Sequence, residues 1–390
     1  MSEDALDRLA ASLRDRLLEG AGADAGTSPS TRIAALVERE AALLDPATRS
    51  ELVRRVEERA FGLGPLQPLL EDPAVDEVMV NGTAPVWVER AGRLERTDVR
   101  FASEAALRDA IERILAPLGR RVDDASPMAD ARLPDGSRVN VVIPPLALDG
   151  PALTIRRFRH RGLSARDLVE TGTLSAPLLD FLGRAVAARC NVLVCGGTGS
   201  GKTTTLNALS EFVGADERVV TIEDAAELRL RQPHVVRLEA RPPALDGRGE
   251  VTIRQLVRNA LRMRPDRIVV GEVRGPEALD LLTALSTGHD GSLSTVHAGS
   301  ATEALRRLET LALMADVGLP HAAVREQVAD AVHLVVVQTR LPDGRRVVTG
   351  VSEVVRVAGG AGVRDVYGLR DGRPTWRAPL GDRLAERLAA

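Results

Sequence analysis

Aromatic side chains are scarce in this chain: two tryptophans, one tyrosine and five phenylalanines among 390 residues, 2% of the whole. With 44% of residues apolar, the cores must be built from Leu, Val, Ile and Ala, and base-stacking platforms for single-stranded nucleic acid have few side chains to draw on. Cysteine occurs twice, at Cys190 and Cys195, which excludes a disulfide framework and a four-cysteine zinc site. A basic excess is missing too. The formal charge of −3 supplies no field that would draw the chain to phosphate backbones or anionic lipid. No apolar run approaches the roughly 18 residues that read as a membrane span, and the opening "MSEDALDRLAASLRDRLLEG" is too charged for a secretory signal. A soluble, cytoplasmic protein with no nucleic-acid partner is expected.

What is present falls into stretches of different texture, and the length predicts two or three domains. Leu6, Leu9, Leu13 and Leu17 lie on one face of a helix predicted over 2–20. "AGADAGTSPST" (21–31) reads as a flexible linker, and 32–60 as further, highly charged helix. Residues 1–60 thus form a helical arm without a catalytic motif. From 61 the texture becomes that of a small mixed α/β domain over 61–160. "VDEVMVNG" and "VWVERAGRLERTDVRF" alternate like strands, the second with a hairpin turn. "SEAALRDAIERILAPLG" is a Ser-capped helix, and "SRVNVVIPP" and "ALTIRRFR" are further strands. After the connection "HRGLSARD", residues 161–390 alternate apolar strands ("NVLVCGG", "RVVTIED", "VVRLEA", "RIVVGEV", "SLSTVH", "HLVVVQ") with helical stretches. That alternation predicts an at least partly parallel sheet flanked by helices.

"GGTGSGKTTT" (196–205) matches G-x-x-x-x-G-K-[ST] between a strand and a helix, the context the motif needs. Gly196, Gly197, Thr198, Gly199, Ser200 and Gly201 would turn backbone N–H groups onto phosphate oxygens at the positive end of the new helix. Lys202 would reach the β- and γ-phosphates, with Thr203 ligating Mg²⁺ and Thr204 beside it. Cys195, just before the loop, reads as a small core residue. Hydrolysis needs carboxylates as well. "TIEDAAEL" supplies Glu223, Asp224 and Glu227 after one strand, and "RPDRIVVGEVRG" supplies Glu272, followed by Arg274, after another. Ligands of such sheets gather at the carboxyl ends of the strands, so these groups point to one crevice. "TGHDGSLSTVHAGSA" (287–301) holds His289 and His297. Their spacing does not suit zinc, and a Ser/His/Asp triad would be redundant beside a phosphate loop. His297 reads instead as a γ-phosphate sensor at the crevice rim.

Four motifs in this order (the phosphate loop, the acidic box, the second acidic strand and the histidine box) resemble the ATPases of the type II/type IV secretion superfamily. Within it the likeness is to the CpaF/TadA branch, which powers assembly of Tad (Flp) pili. It extends over about 60–355 and includes "VDEVMVNG", "RLPDGSRVNVVIPPLA" and "LTIRRF". The tail from 351 resembles the family only loosely and reads as a terminal strand pair, while the missing tetracysteine motif fits the CpaF-like and conjugation-type branches. The resemblance implies a RecA-like ATPase domain after the small α/β domain, with ATP and Mg²⁺ as cofactors. Glu227 would polarise the attacking water with Glu223 close by. Glu272 would hold Mg²⁺ through water, and His297 would lie near the γ-phosphate. Arg138 and Arg156 would close over the phosphates from the N-terminal domain. Implied too are a homohexamer, platform partners at the inner membrane and membrane association only through them. A DNA-translocating RecA-like motor and a non-enzymatic nucleotide-binding subunit stand as alternatives.

Overall fold

A computed structural model describes residues 29–389 except 43, 61–62, 91, 119, 134, 158–161, 242, 244–247, 371–372 and 378, together with residues 6, 8–10, 12, 13 and 16. The chain divides into two compact units, Met1–Arg159 and His160–Ala390.

The first unit begins with the arm. Its described residues between 6 and 16 are helical, and two further helices span Pro29–Glu40 and Pro46–Ala60. Leu13, Ile33, Val37, Leu52 and Val56 form a small cluster of their own. Leu17 and residues 21–28 of the expected linker lie outside the described residues. The linker's expected end at 31 is corrected, since the helix already starts at Pro29, a residue whose ring suits a first helical turn. The arm is followed by an antiparallel sheet of β1 (Val75–Asn81), β2 (Trp87–Arg90), β3 (Arg93–Arg96), β4 (Met128–Arg132), β5 (Arg138–Val142) and β6 (Ala152–Arg156), in the order β3-β2-β1-β6-β5-β4. Strict alternation sends Val78, Val80, Val139, Val141, Leu153 and Ile155 to one face. There they meet Leu107, Ile111 and Ile114 of the helix Glu104–Leu115, capped by Ser103 Oγ accepting from the Ala106 amide at 3.2 Å. The edge strand β4, "MADAR", alternates only through the small residues Ala129 and Ala131, too weak a pattern to be legible in the sequence.

The second unit is built on a nine-stranded sheet, β15-β14-β13-β12-β7-β11-β10-β8-β9. β7 (Val192–Cys195), β8 (Val219–Glu223), β9 (Val235–Glu239), β10 (Arg267–Val270), β11 (Leu293–Val296) and β12 (Leu334–Arg340) are parallel. β13 (Arg346–Val357), β14 (Gly360–Arg370) and β15 (Arg373–Trp376) add an antiparallel meander. Helices cover both faces, so a strand such as β7 is apolar at every position: Val192 and Val194 enter one core, Leu193 and Cys195 the other. The fold is α/β with a partly parallel, helix-flanked sheet, as the alternation predicted, and of the RecA-like type that the resemblance implied.

Two local expectations need correcting. The connection 160–167 already contains the start of a helix, Ala165–Glu170, because Ser164 and Asp167 form a reciprocal capping box. The tail is three strands and a helix, Asp382–Ala389, rather than a strand pair. Arg383 donates to the Ala329 carbonyl and Arg387 to the Arg189 carbonyl and to Asp290, tying that helix to the sheet edge away from the phosphate loop. His333 in this network accepts from the Asn191 amide, and burial drives its pKa down to about 3.

Candidate functional site

Parallel pairing makes the strand ends level. Cys195 stands opposite Val296, and Val270 opposite Ile222. The next residues, Gly196, His297, Gly271 and Glu223, therefore emerge along one edge of the sheet.

The phosphate loop occupies 196–201 between β7 and the helix Lys202–Leu209. Gly197, Thr198 and Gly199 are exposed, while Gly196 and Ser200 are buried. Gly199 (φ +68°) and Gly201 (φ +91°) hold left-handed backbone that a side chain would strain. A Cβ on Gly196 would lie 2.2 Å from the Gln338 carbonyl oxygen, so its glycine is dictated by packing. Lys202 donates to the Gly196 and Gly197 carbonyls, both at 3.1 Å. Thr203 and Thr204 are half-buried in the helix's first turn.

From Lys202 a continuous row of polar contacts crosses three strands. Its Nζ lies 3.3 Å from Nδ1 and 3.4 Å from Nε2 of His297. The His297 Nε2 is 3.1 Å from Glu272 Oε1, so the tautomer protonated at Nε2 donates to Glu272 while Nδ1 accepts from Lys202. Burial, aided by Lys202 and opposed by Glu272, holds the His297 pKa below its ordinary value. The ring is neutral at neutral pH. Arg274 grips both oxygens of Glu272, Nε to Oε1 at 2.6 Å and Nη2 to Oε2 at 2.8 Å. Burial alone would raise the pKa of Glu272, but Arg274, His297 and Lys202 outweigh it and keep the carboxylate ionised. Arg274 Nη1 reaches to 3.6 Å from Asp224 and so closes the row at the acidic box.

Glu223, the last residue of β8, is 3% exposed. Its Oε1 accepts from the Glu227 and Leu228 amides, both at 2.9 Å, which folds the acidic box back over the strand end. Oε2 is buried without a hydrogen-bond partner. Burial, partly offset by those two amides, pushes the pKa of Glu223 up to about 7. The side chain lies against Gly271, where a Cβ would come within 2.8 Å of its Cγ. Glu227 is half-buried on the turn that Glu223 anchors.

The two histidines of 287–301 part company. His289 precedes β11 and so lies at the opposite edge of the sheet, its Nδ1 3.3 Å from the Ala284 carbonyl. Ser292 Oγ donates to the His289 carbonyl and accepts from the Ile268 amide, while Asp290 binds Arg387. Neither residue touches His297, so no Ser/His/Asp triad forms around it. Cys195 is fully buried, with burial pushing its pKa up to about 12, which makes it a core residue and no nucleophile.

In the first unit Arg138 opens β5 and Arg156 closes β6, and the register sets them directly opposite each other. Arg132 of β4 is opposite Arg138 in turn. Three arginines thus share one row on one face, flanked by Glu77 across from Arg156. The sequence reading missed Arg132 because β4 itself was missed. It missed Arg274's bidentate grip for a different reason: the two partners lie only two residues apart on a turn whose shape comes from Glu277, which accepts from the Arg274 and Gly275 amides at 2.7 and 2.8 Å.

Comparison with known proteins gives this geometry its context. The profile of the family described as "Type II/IV secretion system protein" matches residues 59–354. A Mycobacterium tuberculosis protein named "Putative conjugal transfer protein" is 41% identical over 344 residues, 87% of this chain and 97% of its own length. The conjugal transfer protein TrbB of Rhizobium radiobacter is 36% identical, covering 74% of this chain and 86% of that protein. PtlH, a type IV secretion system protein of Bordetella pertussis, is 38% identical, covering 72% and 90%. Among solved structures, the ATPase DotB of Legionella pneumophila matches with a TM-score of 0.52 at 25% identity, covering 71% of this chain and 76% of DotB. The pilus retraction motor PilT with bound ADP shares the fold, with a TM-score of 0.53 at 19% identity and coverage of 83% and 84%. With three-quarters of its length matched and a phosphate loop joined to two acidic strand ends, this chain belongs to the type II/IV secretion system protein family.

Proposed function

We propose that the chain is a motor ATPase of the CpaF/TadA type, which powers assembly of a Tad (Flp) pilus or a related secretion machine. The contact row from Lys202 through His297 and Glu272 to Arg274 supports this most directly, because it couples the phosphate loop to the acidic strand ends. ATP and Mg²⁺ suit the cradle. Its three crowded or left-handed glycines leave no room for side chains, and a hydroxyl and two carboxylates stand beside it. Thr203 and Glu272 would hold Mg²⁺, whose charge would offset that of the phosphates when bound. Lys202 would exchange its loop carbonyls for phosphate oxygens, leaving neutral His297 to follow the change through its Nδ1. Glu227, on the turn anchored by Glu223, would orient the attacking water.

Arg138 and Arg156 would close over the γ-phosphate, so that ATP draws the first unit onto the second and product release lets it open. A ligand shifts such an equilibrium only through unequal affinity for the two states, and these guanidinium groups supply the inequality. The working form would be a homohexamer at the cytoplasmic face of the inner membrane, engaging platform proteins. No helix among the described residues is long and apolar enough to cross a membrane, in keeping with attachment through partners. A second reading, export through a conjugation-type or type IV secretion channel, is favoured by the names of the relatives above.

Phosphate release by the purified protein tests the enzymatic core. Wild type should hydrolyse ATP, and Lys202→Ala should abolish turnover without unfolding the chain. Wild-type turnover in that variant would refute the assignment. Deletion of the gene separates the two pathways: lost pili with intact DNA transfer support the first reading, and the reverse supports the second.

A further inference from the structure

The phosphate loop has a neighbour that the four motifs do not include. β12 adjoins β7 on the side away from β11, and its hairpin with β13 lies along the loop. Three of the loop's glycines meet this hairpin. A Cβ on Gly196 would collide with the Gln338 carbonyl at 2.2 Å. One on Gly201 would come within 3.0 Å of Arg346 Cδ and 3.1 Å of Gln338 Nε2. One on Gly199 would lie 3.3 Å from Arg340 Nη1. Arg346 Nε also donates to the Gly199 carbonyl at 2.9 Å. Arg340 and Arg346 face each other across the hairpin, and the register slips between Val337 and Gln338, where Gln338 turns toward the loop. Bulges of this kind re-aim side chains beside functional sites. Gln338 is 2% exposed, and its Oε1 is buried with no hydrogen-bond partner.

We infer that Arg346 is a positioning residue for nucleotide binding, and that the β12–β13 hairpin sets the shape of the phosphate loop. The inference rests on the nucleotide-binding reading above. In a trans peptide the carbonyl and the following N–H point in opposite directions. By holding the Gly199 carbonyl on the hairpin side, Arg346 turns the Ser200 N–H to the other side, where it donates to the Gly197 carbonyl at 3.4 Å, a long bond that a phosphate oxygen would replace. The guanidinium also places positive charge behind the loop, where Arg340 adds to it. Phosphates common to ADP and ATP feel both effects, so the role lies in binding either nucleotide rather than in the chemical step. Gln338 seals the floor of the loop: its backbone carbonyl requires glycine at 196, and its amide packs against Gly201.

Binding of ADP and of a non-hydrolysable ATP analogue to the full chain tests this, using fluorescent derivatives of both. Arg346→Ala should weaken the two nucleotides alike, by about tenfold, as expected for one charge-assisted hydrogen bond. KM for ATP should rise by a similar factor with kcat nearly unchanged. Arg346→Lys, which keeps the charge but not the planar donor, should recover only part of the loss. Arg345→Ala serves as the control, because Arg345 binds Asp343 within the turn and carries the same charge one residue away. It should bind both nucleotides like wild type. The melting temperature without nucleotide should match wild type for every variant, while the rise produced by ADP should shrink only for the Arg346 variants. Equal nucleotide affinity in Arg346→Ala and wild type would overturn the inference and leave the nucleotide-binding reading standing. An equal loss in Arg345→Ala would overturn it too, by reducing the effect to net charge. Failure of wild type to bind either nucleotide would sink both.

Discussion

Replacing Glu223 with glutamine isolates what it costs to keep an acid buried at the end of β8. In the folded protein burial outweighs the amide hydrogen bonds from Leu228 and Glu227 and pushes the carboxyl to about 7, against an ordinary value of 4.5. One pH unit corresponds to about 1.36 kcal/mol, so ionising this side chain costs the fold about 3 kcal/mol. The direction follows from linkage. A pKa raised by folding contributes stability that is complete below the unfolded value of 4.5 and is lost as pH climbs through about 7. From pH 5 to pH 8, wild type should therefore lose about 2–3 kcal/mol relative to the Glu223→Gln variant, whose amide does not titrate. Both hydrogen bonds to Oε1 survive in that variant, because the glutamine oxygen can accept from the same two amides. His333, with its pKa driven down to about 3 by burial, destabilises the fold on the acid side, but it does so in both proteins and cancels in the difference. Urea unfolding of the full chain at several pH values across this range measures the comparison. A wild-type-minus-variant difference that stays flat would show that Glu223 is ionised throughout and that the orphaned Oε2 is solvated, refuting the reasoning.

Two further expectations concern turnover. Glu227→Gln should bind Mg·ATP about as well as wild type yet hydrolyse it very slowly, whereas equal loss of binding and turnover would make Glu227 a metal or structural residue. The double variant Arg138→Ala/Arg156→Ala should lower turnover sharply, on the order of 10³-fold if the pair acts as an arginine finger, with both units still folded. A distance-reporting label pair across 150–165 should differ between ATP analogue and ADP in wild type. An unchanged distance, or normal activity in the double variant, would leave these arginines as an ordinary surface row.

Much of the second unit was legible in the sequence because its physics is local. A strand buried on both faces is mostly apolar, so β7, β8, β10 and the start of β12 read as short apolar runs, while the edge strand β9 and the Ser/Thr-bearing β11 showed through their place in the strand–helix alternation. The phosphate loop was equally plain, since left-handed backbone at Gly199 and Gly201 restricts residue choice within a few positions. Chain order also sufficed to put Glu223, Glu272 and His297 at strand ends. Other features depend on which strands become neighbours, and no local pattern encodes that. The order β7-β11-β10-β8 inserts His297 between Lys202 and Glu272, and turns three separate motifs into one row of contacts. The same choice of neighbours brings Arg346, 147 residues from Gly199, onto the phosphate loop. Register in the first unit likewise aligns Arg132, Arg138 and Arg156, which no spacing along the chain connects. The sequence by itself determined the elements and the chemistry available at their ends, because those follow from burial and backbone conformation over a few residues. Only the tertiary structure decided which of those groups touch, because strand order and register are settled by packing over the whole sheet.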